Sequence, residues 1–260
     1  LLGGTPKMQR SFNRSVPKLL PLNLASVNLT EAVKDVLRHP TVASKSFLIS
    51  IGDRSITGMI VRDQYVGRYQ VPVADCAVTA SALLALDGKP MTGEAMSMGE
   101  RTPVALISPA ASARLAVGEA ITNIAGAAIA KLSDITLSAN WMAACGEDKE
   151  DQALFEGVKA VGEALCPALG IAIPVGKDSL SMRANWQDKG GDNGSDEQGN
   201  KSVVSPMSLI ITAFAPVTDV TQTLTPELKG GETAFYRLDL SKGQFRLGGS
   251  ILAQTMSQLG

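Results

Sequence analysis

The stretch from Val71 to Ala128 decides the fold, because an acidic loop begins it and a long alanine-rich helix ends it. The loop, VPVADCAVT, contains Asp75. The helix carries VGEAITN, in which Glu119 and Asn123 are four residues apart and therefore lie side by side on one helical face. The surrounding residues are mostly Ala, Ile, Val and Gly. This surface is therefore predicted to be buried, and buried polar groups need partners.

These three side chains together offer two carboxylates and one amide oxygen. Mg²⁺ prefers such oxygen ligands, and it usually completes its octahedron with water and nucleotide phosphates. The spacing therefore predicts half of a Mg²⁺–nucleotide site with Asp75, Glu119 and Asn123 as metal ligands. An alternative stays open, because an Asp after a strand is often a turn or cap residue, and a Glu with an Asn at helical spacing is often a solvated face.

Composition narrows the class of protein. The chain has 260 residues, 45% of them hydrophobic, with 25 glycines, which is typical of one large globular domain or one domain with part of a second. A net charge of −1 gives no electrostatic reason to expect nucleic acid or an anionic membrane as a partner. The three scattered cysteines, Cys76, Cys145 and Cys166, are typical of a reducing compartment, so a cytoplasmic protein is expected.

The two ends suggest a piece of a longer polypeptide. The chain opens Leu-Leu-Gly-Gly, and it closes within GGSILAQTMSQLG, where a helix has barely begun. The basic, proline-containing residues 1–27 predict a linker. We expect the main unit over 28–230 and the start of a following unit over 231–260.

Helix and strand signals alternate along the chain. Asn28 and Glu31 form a capping pair that predicts a short helix before Pro40. The runs FLISIG, TGMIV, YQVPVA and CAVTASALL predict strands, whereas TGEAMSMGERTP predicts an irregular crossing. Between the first two runs, Gly52–Ser55 has two interpretations: a type I turn with a solvated arginine, or a loop that presents N–H groups and that arginine to a phosphate.

The second part of the chain contains the longer elements. A helix is predicted from Ser108 as N-cap to about Leu132, on the order of 35 Å long, and another helix over 151–165. ITLSAN, MSLIITAFAPV and TAFYRLDLS predict strands, and the polar run within 184–205 predicts a mobile surface loop. This alternation predicts an α+β or layered α/β domain, and of the two we expect α+β, with a mixed sheet packed on long helices.

The run GIAIPVGKDSLSM predicts a buried strand that leads into a polar turn. Its GKDS resembles the end of a phosphate-binding P-loop, but Gly170 is six positions before Gly176, and Asp178 stands where that motif has Ser or Thr. The P-loop interpretation is therefore rejected. Lys177 and Asp178 remain candidate nucleotide-binding residues, and a turn at the strand end is the alternative.

Several long segments resemble a known family. RHPTVASKSFLISIGDRSITGMIVRDQ, GEAMSMGERTPVALISPAASARLAVGEAITNIA and LSANWMAACGEDKEDQALFEGVKAVGEALCPALGIAIPVGKDSLSM are similar to the large, single-chain phosphoribosylformylglycinamidine synthases. The similarity extends over nearly the whole chain. It implies the N-terminal subdomain fold of aminoimidazole ribonucleotide synthetase, here from the second half of the duplicated synthetase region.

The resemblance also implies a function. The parent would be an ATP-dependent, glutamine-using ligase that makes formylglycinamidine ribonucleotide from formylglycinamide ribonucleotide in purine biosynthesis. This piece would hold an auxiliary ADP with Mg²⁺ rather than catalytic residues. Asp75, Glu119 and Asn123 match the family's metal ligands, and Ala74 matches a nucleotide-contacting position. The implied partners are the sister synthetase half and a glutaminase domain, and the piece alone is expected to self-associate through its sheet.

Two alternatives to this function remain. The first is that the chain is a catalytic domain of another ATP-dependent synthetase of the same superfamily, such as aminoimidazole ribonucleotide synthetase or selenophosphate synthetase. The second is that it is a ligand-free scaffold that only pairs its sheet with the sister half.

Overall fold

The computed structural model describes residues 3–4, 17–56, 58–187 and 200–260. Parts of the predicted linker and of the predicted loop over 184–205 therefore lie outside the described residues. The helices are α1 (Leu29–Arg38), α2 (Ser46–Ile51), α3 (Thr102–Ala105), α4 (Pro109–Ile124), α5 (Asp148–Lys159), α6 (Cys166–Leu169) and α7 (Ile251–Thr255). The strands are β1 (Ala77–Ala80), β2 (Gly93–Glu100), β3 (Thr136–Met142), β4 (Ala172–Ser179), β5 (Arg183–Gln187), β6 (Asn200–Val204) and β7 (Ser208–Val217).

Five strands form one mixed sheet in the order β1–β2–β7–β3–β4. Neighbouring strands are antiparallel except β3 and β4, which are parallel. A parallel pair needs a crossover connection, and here α5, a π-helical segment (Ala160–Leu165) and α6 supply it. β5 and β6 pair separately as an antiparallel ribbon. A mixed sheet packed against helices confirms the α+β class predicted from the sequence.

The core lies between one face of the sheet and α4. The fully buried side chains on the sheet include Ala95, Leu137, Leu209, Ile211 and Ala213. Those on α4 are Ala113, Ala116, Val117, Ala120 and Ile124. Because most of the helix face is alanine, the helix backbone approaches the strands closely. This close approach brings polar side chains of α4 within reach of the backbone of β2.

The long helix is confirmed at its start but ends earlier than predicted. The Ser108 hydroxyl accepts a hydrogen bond from the Ala111 N–H at 3.3 Å, and Pro109 occupies the first turn, as expected. The helix ends at Ile124 rather than near Leu132, so its 16 residues span about 24 Å. Beyond it, the Gly126 carbonyl accepts from the Leu224 N–H at 2.7 Å, and this bond to a distant segment replaces the helical pattern.

Four predictions before α4 are wrong. The runs TGMIV and YQVPVA form no strand in their described residues, where only Ile60 and Val73 make isolated bridges, to Thr79 and Tyr65. The run FLISIG lies in a helix, α2, because a short apolar run does not distinguish a helix from a strand. The predicted irregular crossing contains β2, which is a central strand of the sheet. Its inward positions are small, namely Gly93, Ala95, Ser97 and Gly99. Small inward residues leave room for α4, but they hide the apolar alternation that normally reveals a strand.

The predictions for the first helix, for the run TAFYRLDLS and for the polar segment over 184–205 compare differently with the structure. α1 is confirmed, with the Asn28 side chain accepting from the Glu31 N–H at 3.2 Å. The run TAFYRLDLS forms no strand in the structure, and its large side chains such as Tyr236 and Leu238 are almost fully exposed. The polar segment over 184–205 begins and ends in the β5–β6 ribbon instead of being loop throughout.

The second helical region begins earlier than predicted. α5 starts at Asp148 rather than near residue 151, and the helical path continues through the π segment into α6. Burial changes where α5 meets the π segment, since Val161 is fully buried whereas Val158 is 44% exposed. Within the part of the chain that the structure describes, no helix combines the length and apolar character needed to cross a bilayer.

Candidate functional site

The last four residues of β2 before Arg101 are tied to α4 by side-chain hydrogen bonds. The buried Ser97 hydroxyl donates to the Ala120 carbonyl at 2.6 Å. Gly99 lies so close to the helix that an added Cβ would be 2.1 Å from the Ala116 carbonyl oxygen. Only a glycine allows this approach, so the contact holds the Glu119 face of α4 against the end of the strand.

Glu119 uses both carboxylate oxygens on neighbouring protein groups. Its Oε2 accepts from the Glu100 N–H at 2.8 Å, and its Oε1 lies 3.1 Å from the Arg101 Nη2. The side chain is 26% exposed, so the carboxylate is accessible from solvent at one side. The predicted need for partners is thus met by the strand end.

Asn123 is oriented by the same strand. Its Nδ2 donates to the Met98 carbonyl at 2.9 Å. Because the amide nitrogen makes this bond, the Oδ1 atom is the acceptor that remains for a ligand. Glu119 and Asn123 therefore lie together at one strand end, as their helical spacing predicts.

Asp75 lies in the segment that leads into β1. β1 begins two residues later, where Ala77 pairs with Met96 of β2. The next residue, Cys76, is buried, and its Sγ would be 3.5 Å from a Cβ added to Gly126, just beyond α4. Burial, and then the carboxylate of Asp75, raise the pKa of the Cys76 thiol. Asp75 is thus exposed near the end of α4, and among the described residues it has no hydrogen bond or ion pair with Glu119 or Asn123.

The side-chain oxygen atoms of Asp75, Glu119 and Asn123 are of the types that bind a hard divalent cation. Two carboxylates and an amide oxygen are the ligand types that Mg²⁺ takes, and the orientation of Asn123 keeps its oxygen available. Within the described ranges, no three side chains of the His, Cys, Asp and Glu types cluster as a metal site. The predicted set contains only two of these, since its third member is the amide of Asn123.

The other predicted nucleotide-binding residues lie elsewhere. Ala74 adjoins Asp75, and its N–H donates to the Gln64 carbonyl at 2.8 Å. Lys177 and Asp178 are inside β4 rather than in a turn, and β4 is an exposed edge strand rather than a buried one. Three strand spacings separate β4 from β2, about 14 Å in a sheet. The structure therefore does not bring Lys177 and Asp178 together with Glu119.

In the loop Gly52–Ser55, the contacts of Arg54 favour a structural role over phosphate binding. The Arg54 guanidinium pairs with the Asp63 carboxylate at 2.8 Å and lies 5.7 Å from the centre of the Tyr65 ring. It also donates to the Gln70 side chain. These contacts hold Arg54 within its own loop region.

Two residues of the site were not singled out from the sequence. Gly99 controls the distance between strand and helix, and Arg101 pairs with Glu119. Both occur in GERTP, within the run that the sequence predicts to be an irregular crossing. The signal was the alternation of small residues with Glu and Met in GEAMSMGE, which places Gly99 on the buried face and Arg101 at the strand end.

A family model confirms the family resemblance that the sequence segments predict. A family model described as the FGAR-AT PurM_N-like domain matches residues 44–216. The chain is similar to PurLQS from Thermotoga maritima, at 14% identity and a TM-score of 0.42, over 85% of this chain and 29% of that one. It is also similar to T. maritima PurL complexed with ADP, at 15% identity and a TM-score of 0.45, over 84% and 29% of the two chains.

A third similarity is to a HypE–HypF complex, at 16% identity and a TM-score of 0.34, over 60% of this chain and 40% of that one. The chain spans less than a third of the length of the two T. maritima chains. The family model, in contrast, covers more than half of this chain, including the whole sheet up to Pro216 and all of α4. The chain therefore belongs to the FGAR-AT PurM_N-like domain family.

Proposed function

We propose that this chain is part of an ATP-dependent, glutamine-using ligase of the cytoplasm that converts formylglycinamide ribonucleotide to formylglycinamidine ribonucleotide in purine biosynthesis. Within that enzyme it forms an auxiliary Mg²⁺–ADP site and supports the synthetase core. Membership of the FGAR-AT PurM_N-like family supports the parent activity over that of the other synthetases of the superfamily. The proposal includes the division of the chain into a linker (1–27), a main unit (28–230) and the start of a following unit (231–260).

The observation that carries the local role is the fixed pair at the end of β2. The Glu100 N–H holds Glu119, and the Met98 carbonyl holds Asn123, on one face of α4. The segment that precedes β1 and contains Asp75 lies beside the same strand, because β1 pairs with β2. Side chains that are already oriented lose little further entropy when they bind a ligand. This arrangement is therefore suited to a small, highly charged group.

Each residue has a distinct part in the proposed site. Asp75 and Glu119 supply negative charge that attracts the cation, and Asn123 supplies a neutral oxygen that its bond to Met98 orients. A bound Mg²⁺ would neutralise phosphate charge. The backbone next to Ala74 would border the nucleotide. A retained nucleotide would stabilise the folded state, because it binds that state alone.

Isothermal titration calorimetry with Mg²⁺–ADP tests this role, in the 260-residue chain and in the full polypeptide that contains it. We expect saturable binding that Glu119→Gln weakens at least tenfold. Glu163→Gln is the matched control, because it removes an exposed carboxylate from another helix. Absence of heat in the full polypeptide at millimolar nucleotide would contradict the site, and ammonia-dependent ATP turnover by the 260-residue chain alone would contradict its auxiliary role.

A second candidate function is a ligand-free scaffold. It is favoured by the same contacts, since the Glu119 carboxylate and the Asn123 amide nitrogen already have protein partners. In that case these side chains only tie α4 to β2. The two functions differ in the effect of nucleotide: Mg²⁺–ADP raises the melting temperature if the site binds, and leaves it unchanged if the chain is a scaffold.

The uncovered sheet face supports the proposed partners. Met96 and Phe214 are directly paired on the face opposite to α4. Met98 on β2 and Val175 on the edge strand β4 are 58% and 60% exposed. Exposed apolar surface of this kind is typical of a contact with another folded unit. We propose that the sister synthetase half covers it in the parent, which also contains a glutaminase domain, and that isolated copies pair through it.

A further inference from the structure

Arg101 combines a fixed backbone with an accessible charge. The Ser112 hydroxyl, itself buried on α4, donates to the Arg101 carbonyl at 2.7 Å. The guanidinium lies 3.1 Å from the Glu119 Oε1 and donates to the Glu100 carbonyl at 3.2 Å, yet the side chain is 49% exposed. The residue is therefore anchored beside the proposed metal ligands, while its cationic end can rotate into solvent.

The charges in the site predict that the Arg101 guanidinium weakens the binding of a metal ion alone and strengthens the binding of a nucleotide. Without a ligand, Arg101 partly neutralises the Glu119 carboxylate, and a bare divalent cation has to displace it from that oxygen. A nucleoside diphosphate, however, carries more negative charge than one divalent cation neutralises. A guanidinium then gains favourable bonds, because its planar donors match phosphate oxygens.

We propose that Arg101 exchanges partners in this site, from Glu119 in the empty state to the phosphates of a bound nucleoside diphosphate in the loaded state. The inference rests on the proposed nucleotide site and adds the residue that makes the site prefer a metal–nucleotide complex to the metal alone. The backbone bond from Ser112 keeps the arginine at the site in both states.

The experiment compares the binding of Mn²⁺ alone with that of ADP in the presence of Mn²⁺. Free Mn²⁺ is followed by electron paramagnetic resonance and ADP binding by calorimetry, both in the full chain. Arg101→Gln is expected to raise affinity for Mn²⁺ alone about two- to fivefold, because a half-exposed ion pair no longer competes. The same change is expected to lower affinity for ADP about tenfold, because a charge-assisted contact is lost.

Two further variants make the result specific. Arg114→Gln removes an exposed cation from α4, the helix that carries Glu119, and is expected to change neither affinity. Arg101→Lys keeps the charge and is expected to recover part of the ADP affinity, and a folded Arg101→Lys protein provides the test if Arg101→Gln does not fold. The exchange is supported if Arg101→Gln raises the affinity for Mn²⁺ alone and lowers the affinity for ADP.

Other outcomes overturn the inference in distinguishable ways. If Arg101→Gln leaves both affinities unchanged, or shifts them in the same direction, Arg101 does not exchange partners even though the site binds nucleotide. If the unaltered chain binds neither Mn²⁺ nor Mn²⁺–ADP, the nucleotide site itself is absent, and the inference about Arg101 fails together with the proposed function.

Discussion

Replacing Gly99 by alanine tests whether close helix–strand packing builds the site. An added Cβ would be 2.1 Å from the Ala116 carbonyl oxygen, 2.6 Å from the Ala120 N and 3.0 Å from the Glu119 Cβ. The two shortest contacts are with backbone atoms, so no side-chain rotation relieves them. Since ordinary contacts of this kind exceed 3.4 Å, α4 has to move away from β2 by about 1 Å.

This displacement affects three hydrogen bonds between the strand and the helix. They join Ser97 to Ala120, the Glu100 N–H to Glu119, and Asn123 to Met98, with lengths of 2.6, 2.8 and 2.9 Å. Each such bond contributes about 1 kcal/mol, and overpacking a close-packed contact costs about 1–3 kcal/mol. If all three bonds are lost, the expected loss is about 4–6 kcal/mol in the free energy of unfolding, or a melting temperature lower by roughly 10–20 °C.

Urea denaturation followed by circular dichroism measures this loss. Gly118→Ala is the matched control, because nothing lies within 4 Å of its added Cβ and alanine is the better helix former by about 0.5–1 kcal/mol. We therefore expect Gly99→Ala to destabilise the chain and Gly118→Ala to stabilise it slightly. Equal stability of Gly99→Ala and the unaltered chain would refute the argument that glycine is required at the strand–helix contact.

Three further predictions concern single side chains. Burial, and then the Asp75 carboxylate, raise the pKa of the Cys76 thiol; Asp75→Asn removes the second cause, so maleimide labelling of Cys76 accelerates at pH 8, and an unchanged rate shows that the carboxylate does not raise this pKa. Burial raises the pKa of Glu150, so its contribution to stability is complete below about pH 4 and is lost as pH rises. Glu150→Gln is therefore expected to gain stability over the unaltered chain as the pH rises above about 4, and a pH-independent difference in urea denaturation opposes this. Val175→Lys weakens self-association in sedimentation velocity, whereas Leu228→Lys, also exposed but outside the sheet, does not; a monomeric unaltered chain excludes the sheet contact.

The features that were predictable depend on local rules. The start of α4 follows from Ser108 and Pro109, because a cap and a first-turn proline act within one turn of chain. β7 follows from a ten-residue apolar segment, Ser208–Val217. The end of α4 was not predictable in this way, because the bond from Leu224 to Gly126 joins residues far apart in sequence.

β2 shows why a central strand was missed. Strand prediction relies on large apolar residues at every second position, but here the buried positions hold Gly, Ala and Ser, and the exposed ones hold Glu and Met. The space that large side chains of a core strand normally fill is occupied here by the backbone of α4, as at Gly99, where the Ala116 carbonyl oxygen stands in place of a side chain. The same property hid Gly99 and Arg101, whose importance depends on the distance between two elements and not on residue type.

The two functions proposed for Glu119 and Asn123 do not exclude each other. A metal ligand is commonly oriented by hydrogen bonds to its surroundings, and such bonds keep the ligating oxygen in place before the metal arrives. The Glu100 N–H occupies one oxygen of Glu119, whereas the other pairs, among the described residues, with the half-exposed guanidinium of Arg101. The Met98 carbonyl likewise holds the nitrogen of Asn123 and not its oxygen. The contacts that tie α4 to β2 are therefore the contacts expected of a site in which only an arginine has to move to admit a cation.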